Sequence, residues 1–236
     1  MNTVTLVDRT EMIEKLMEHL RLNSKSTAII TVDMHRGHLD PAVATQPAHP
    51  TDAVRVIAAG KDALTFARTL NIPVVHVKLT FRTIPDLGSE GMSAPFWAAI
   101  SSIENKKNRL APERTTTVND HNIIGSPGTE LIPELYEQTD YVVDNKKRLD
   151  CFMGTDLDML LRNLGIKSVC LMGINTNTCV LNTAFTAHNH NYQTIVLSDC
   201  VASMYGDDLH ELGLQNIKRC LGWVLTNEEF KQKLEE

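Results

Sequence analysis

Ser168-Val169-Cys170-Leu171-Met172-Gly173 runs directly into Ile174-Asn175-Thr176-Asn177-Thr178-Cys179. The first five residues form a short apolar run of the kind that fills a buried parallel strand, and Gly173 punctuates its end. The polar stretch that follows leads into a helix expected from Thr178 to Asn191. Strand, turn and helix in succession form the repeating unit of an α/β fold. The same rhythm recurs outward from this stretch. Ala28 to Val32 is a strand ending at Asp33, and Asp52 to Leu70 is a helix broken by Ile72-Pro73. Val74 to Leu79 and Tyr141 to Val143 are strands, and Thr155 to Leu164 is a helix stopped by Gly165. Thr194 to Leu197 is a strand, Asp207 to about Cys220 a helix, and Trp223 to Leu225 a last short strand. The fold expected is a three-layer α-β-α arrangement over a mainly parallel, doubly wound sheet of about six strands, in a single domain spanning 1–236.

Two segments stand outside this rhythm. Asp8 to Leu22 reads as an N-terminal helix, with Asp8 as N-cap and Glu11 three residues later. Its residues Met12, Ile13, Leu16, Met17 and Leu20 share one face. The stretch from 81 to 126 is rich in proline and glycine, with a short helix expected from Ala94 to Ile103. It reads as an insertion serving as a lid or an oligomer contact.

Composition removes several classes of function. The net charge is −6 over 236 residues, and Lys146-Lys147-Arg148 is the nearest approach to a basic patch, so nucleic acid is not an expected partner. No apolar run approaches the ~20 residues needed to cross a bilayer, so no membrane partner is expected either. The five cysteines lack a Cys-x-x-Cys pair and a secretory leader. They are expected to be reduced thiols in a cytoplasmic protein without structural zinc.

Ligands of an open parallel sheet bind beyond the carboxyl ends of its strands. That rule selects Asp33, then Asn145 and Lys146, then the run from Gly173 to Cys179. A cysteine in the first turn of a helix gains from aligned backbone N–H groups, and a lysine beside it would lower its pKa further. Asp33 is placed to act as general base, and Lys146 to hold that carboxylate ionised. His35 and His38 lack a third ligand at a recognisable spacing, so no metal and no cofactor is expected. His188 and His190, near a helix end, read as structural.

The segments Asp150-Cys151-Phe152-Met153-Gly154-Thr155-Asp156-Leu157 and Gly173-Ile174-Asn175-Thr176-Asn177-Thr178-Cys179-Val180, with Lys146 ahead of them, resemble the isochorismatase-like cysteine hydrolases. Gly128 to Leu135 and Ser198 to Ala202 are similar to further segments of that family. The resemblance runs from about Ala28 to Val224 and is weakest between Phe81 and Ser126. It implies a catalytic triad of Asp33, Lys146 and Cys179, and a cis peptide between Ile174 and Asn175. It also implies an oxyanion hole from the backbone amides of Asn175 and Cys179. Asparagine at 175 departs from the small residue or threonine commoner in the family, and its carboxamide could reach the substrate.

Cys179 favours amide or ureide cleavage over the vinyl-ether hydrolysis of true isochorismatases. The segment Lys78 to Arg82 lacks the histidines with which nicotinamidases hold a metal. The remaining alternatives are a vinyl-ether hydrolase and a non-catalytic member. His35, Phe81, Arg82 and Phe152 are expected around the substrate, with Trp97 if the insertion folds over. Arg82 and Arg148 are candidates for gripping a substrate carboxylate. Relatives of this kind are commonly homodimers or homotetramers.

Overall fold

The structure, a computed structural model, describes residues 5–104 and 118–235. Six strands build the central sheet: β1 (Thr27–Val32), β2 (Val74–Leu79), β5 (Tyr141–Lys146), β6 (Ser168–Ile174), β7 (Gln193–Ala202) and β8 (Trp223–Leu225). Between them, β3 (Thr83–Ile84) and β4 (Gly88–Ser89) pair as a small antiparallel ribbon. The helices are α1 (Thr10–His19), α2 (Arg36–Leu39), α3 (Pro50–Thr69), α4 (Pro95–Glu104), α5 (Leu157–Asn163), α6 (Leu181–Asn189), α7 (Asp207–Asn216) and α8 (Asn227–Glu235). The sheet order is β5-β2-β1-β6-β7-β8, and every neighbouring pair is parallel.

Successive side chains of each strand divide between two cores. Ile29, Cys170, Met172 and Ile195 pack with Val56 and Leu64 of α3 and Phe230 of α8. Ile30, Val32, Leu171 and Val196 pack on the opposite face with Leu157 and Leu161 of α5 and Ala184 of α6. Each such aliphatic side chain contributes roughly 1.5–3 kcal/mol by leaving water. This explains why the central strands read as unbroken apolar runs.

The chain leaves β1 towards β2 on one side, while β6 pairs along the other edge of β1. The topological switch point therefore lies between the carboxyl ends of β1 and β6. Gly173 makes the close approach there possible. Its φ is +127°, and a Cβ at this position would lie 2.0 Å from the Val32 carbonyl oxygen. Gly173→Ala is expected to cost about 3 kcal/mol or more by forcing β6 away from β1. A shift of the urea midpoint worth under 1 kcal/mol would contradict this account.

Several boundaries differ from the sequence reading. The N-terminal helix runs from Thr10 to His19, and none of its residues is buried. Met12 and Leu16 are exposed, Met17 is half-buried against the core, and Leu20, just past the helix, is fully buried in it. Asp8 accepts a bond from the Thr10 amide, but the N-cap position is Arg9, which makes no side-chain cap. The helix expected from Thr178 begins earlier, as a π turn over Thr176–Val180 that continues into α6. α8 is an additional element beyond the last expected strand. Within the 81–126 segment the described residues hold the ribbon, α4 and short turns, while 105–117 lie outside them. No helix among the described residues is long and apolar enough to cross a membrane.

Candidate active site

Asp33 immediately follows β1 with φ of 55°, a left-handed conformation that aspartate tolerates better than most residues. Its amide donates to the Val77 carbonyl, which ties this turn to β2. Lys146 ends the edge strand β5. Simple alternation from the buried Val143 would turn Asn145 inward and Lys146 outward. Instead the register of β2 against β5 shifts between Val77 and Leu79, and Lys146 is the buried residue. A bulge beside a functional site commonly re-aims one side chain in this way. Cys179 lies in the π turn after β6, an irregularity that itself recurs at functional sites. The Ile174–Asn175 peptide leading into this turn is cis.

The three side chains meet. Lys146 Nζ donates to Asp33 Oδ2 at 2.5 Å and to Cys179 Sγ at 3.5 Å. Asp33 and Lys146 are fully buried, and Cys179 nearly so. Burial alone would pull the lysine pKa down, but the charge of Asp33, the neighbouring sulfur groups of Cys179 and Cys151, and the hydrogen bond to Asp33 together outweigh it and raise the pKa, holding the ammonium protonated. The thiol behaves opposite to the sequence expectation. Burial pushes its pKa up to about 12, reinforced by the charge and hydrogen bonding of Asp33, and the lowering effect of Lys146 is too small to reverse this. At neutral pH the site therefore holds a neutral thiol beside an ion pair, not a preformed thiolate.

A cavity of about 230 Å³ opens over Cys179. Leu79, Phe81, Met92, Trp97 and Leu149 give it a largely apolar wall, and Lys147 and Arg148 also border it. Asn175, Thr178, His38, Gln46, His121 and Tyr205 supply polar groups. Larger depressions of about 570 Å³ beside α1 and about 510 Å³ around Leu221 to Trp223 contain none of the three converging side chains.

Of the residues expected around a substrate, Phe81, Trp97 and Asn175 border this cavity. The others do not. His35 is fully buried beneath the wall, its ring centroid 5.0 Å from that of His38. Arg82 is exposed and paired with Glu90 at 2.8 Å, drawn off by the ribbon that brings Glu90 beside it. Phe152 stacks on Tyr192 and lies tilted against His190, in the core layer beside α6. His121, Gln46 and Tyr205 carried no sequence signal, because loops far apart in the chain bring them together. His35, His38 and His121 pack in a row, yet no group of side chains among the described residues is arranged to hold a metal ion.

Residues 27–229 match the isochorismatase domain, and the chain belongs to the isochorismatase family. It is 29% identical to ureidoacrylate amidohydrolase RutB of Stutzerimonas stutzeri, over 91% of this chain and 85% of the relative. It is 28% identical to maleamate amidohydrolase of Pseudomonas putida, over 89% of this chain and 87% of the relative. Among solved structures, N-carbamoylsarcosine amidase from Thermoplasma acidophilum superposes with a TM-score of 0.64 at 26% identity, covering 86% of this chain and 97% of that one. A cysteine hydrolase from Pseudomonas syringae shares the fold, with a TM-score of 0.72 at 23% identity, covering 92% and 95%.

Proposed function

We propose that this protein is a cysteine-dependent amidohydrolase that cleaves the C–N bond of a small amide or ureide through a thioester. The observation that carries the reading is the contact of Asp33, Lys146 and Cys179 beneath one cavity. In the proposed cycle Asp33 takes the Cys179 proton as sulfur attacks the carbonyl carbon. The elevated thiol pKa fits this order, since the proton is removed only as the new bond forms. The backbone amides of Asn175 and Cys179 stabilise the oxyanion, an effect worth roughly 3 kcal/mol per donor. The C–N bond breaks, the nitrogen leaves with the proton held by Asp33, and a thioester remains on Cys179. Water then gives a proton to the same carboxylate and attacks the thioester. The acid leaves and the proton returns to sulfur. Lys146 keeps its charge throughout and offsets that of Asp33.

Arg148 borders the cavity, and among the described residues it has no carboxylate partner. We assign it the far end of the substrate, where a guanidinium can grip a carboxylate. The relatives named for ureidoacrylate and maleamate, both acids, support this choice. Ammonia release from ureido acids, half-amides of dicarboxylic acids and neutral ureides, with isochorismate run in parallel, tests the reading. Turnover of an acid amide or ureido acid is the expected result. Cleavage of isochorismate with no amide turned over would overturn it.

A further inference from the structure

We propose that His38 reads the substrate nitrogen, accepting one of its N–H groups through Nε2. This rests on the amidohydrolase reading above and names a specificity-determining residue within it.

His38 Nδ1 lies 3.0 Å from the Gln46 carbonyl oxygen. A carbonyl only accepts, so Nδ1 carries the proton. Burial pulls the ring pKa below its usual value despite the opposing charge of Asp33, which keeps the imidazole neutral at pH 7. A neutral imidazole protonated on Nδ1 has its lone pair on Nε2. His38 borders the cavity that holds Cys179, and among the described residues its side chain bonds through Nδ1 and not through Nε2.

The neighbouring histidines cannot take this part. His121 engages both nitrogens, Nδ1 with the Thr45 hydroxyl at 2.7 Å and Nε2 with the Asn122 carboxamide nitrogen at 3.0 Å. His35 does not reach the cavity. Asn175 is the complement of His38. Its Oδ1 accepts from the Met204 amide at 2.9 Å, which leaves the NH2 end of the carboxamide as a donor. One acceptor and one donor therefore line the same mostly apolar chamber as the thiol, and together they match a –C(=O)–NH– unit. A substrate whose nitrogen is replaced by oxygen leaves Nε2 unpaired once water is excluded, and it is discriminated against for that reason.

His38→Asn tests this, because its carboxamide NH2 can still face the Gln46 carbonyl while nothing replaces Nε2. Values of kcat/KM are compared for the best amide of the panel and its methyl ester, and for p-nitroacetanilide and p-nitrophenyl acetate. The expected result is an amide-to-ester ratio lowered on the order of 10- to 100-fold, with ester hydrolysis little changed. His38→Gln, whose side-chain oxygen can reach the Nε2 position, is expected to recover part of the ratio. Nitrogen-15 NMR of the free protein should find His38 protonated at Nδ1. An unchanged ratio, an equal fall of amide and ester, or the Nε2–H tautomer would each overturn the inference while leaving the amidohydrolase reading in place. A wild-type protein that cleaves no amide in the panel overturns both.

Discussion

Cys179→Ser protein is expected to fold normally and to lose on the order of 10⁴-fold or more in amide turnover. A hydroxyl differs from the thiol by little volume, so the π turn has no steric reason to rearrange. Its chemistry differs far more. The thiol is already held at about 12 by burial and by Asp33, and an alcohol placed there would be harder still to deprotonate. The carboxylate that suffices for sulfur is too weak a base for oxygen. Ammonia release and a urea melt on the same preparation check both halves of the claim. Retention of more than a tenth of the wild-type rate would remove sulfur from the mechanism.

The second large effect concerns the ion pair. Lys146→Met fills a similar volume but leaves Asp33 fully buried with no cation. Breaking one side of a buried pair typically costs about 3–5 kcal/mol. Stability and activity are both expected to fall. Asp33→Asn combined with Lys146→Met removes both charges, and much of the lost stability should return while turnover stays absent. A double variant no more stable than Lys146→Met alone would show that the pair's burial is not what the single change disturbs. The same comparison separates the two roles of the lysine, since packing can be restored without chemistry.

The parts of this molecule legible in the sequence are those set by local pattern. Val74–Leu79 and Trp223–Leu225 have the expected bounds because apolar runs flanked by proline, glycine or polar residues have little freedom. Asp33 and Cys179 follow from the rule about strand ends, whereas that rule selects Asn145 and Lys146 alike, and the preference for Lys146 comes from its charge and from the family resemblance. The choice is made by a register shift against β2, a property of two strands and not of one. The direction of the thiol's pKa was misread for a related reason. Helix position and a nearby lysine can be read from sequence, whereas complete burial beside a carboxylate depends on the assembled layers. The apolar stripe of α1 is legible in the sequence, but periodicity reports only that a face exists: Met17 packs against the core while Met12 and Leu16 stay exposed. His38 was weighed as a metal ligand because its sequence neighbour is His35. Its structural partner is a backbone carbonyl eight residues away.

The turn carrying Cys179 is fastened to the segment after β7: Asn177 accepts from the Ser203 hydroxyl, and Asn175 accepts from the Met204 amide. Tyr205, on the cavity wall, is the next residue of that segment. One side of the chamber is thus built into the sheet together with the Cys179 thiol. Phe81, Met92 and Trp97 line the chamber from the segment between β2 and β5 and share no hydrogen bond with Asp33, Lys146 or Cys179. Substitutions there can drift without disturbing the contact of Asp33, Lys146 and Cys179. On the proposed reading, a lineage carrying this scaffold is free to reshape the apolar wall by revising a single stretch of chain while His38 and Arg148, from other stretches, stay in place.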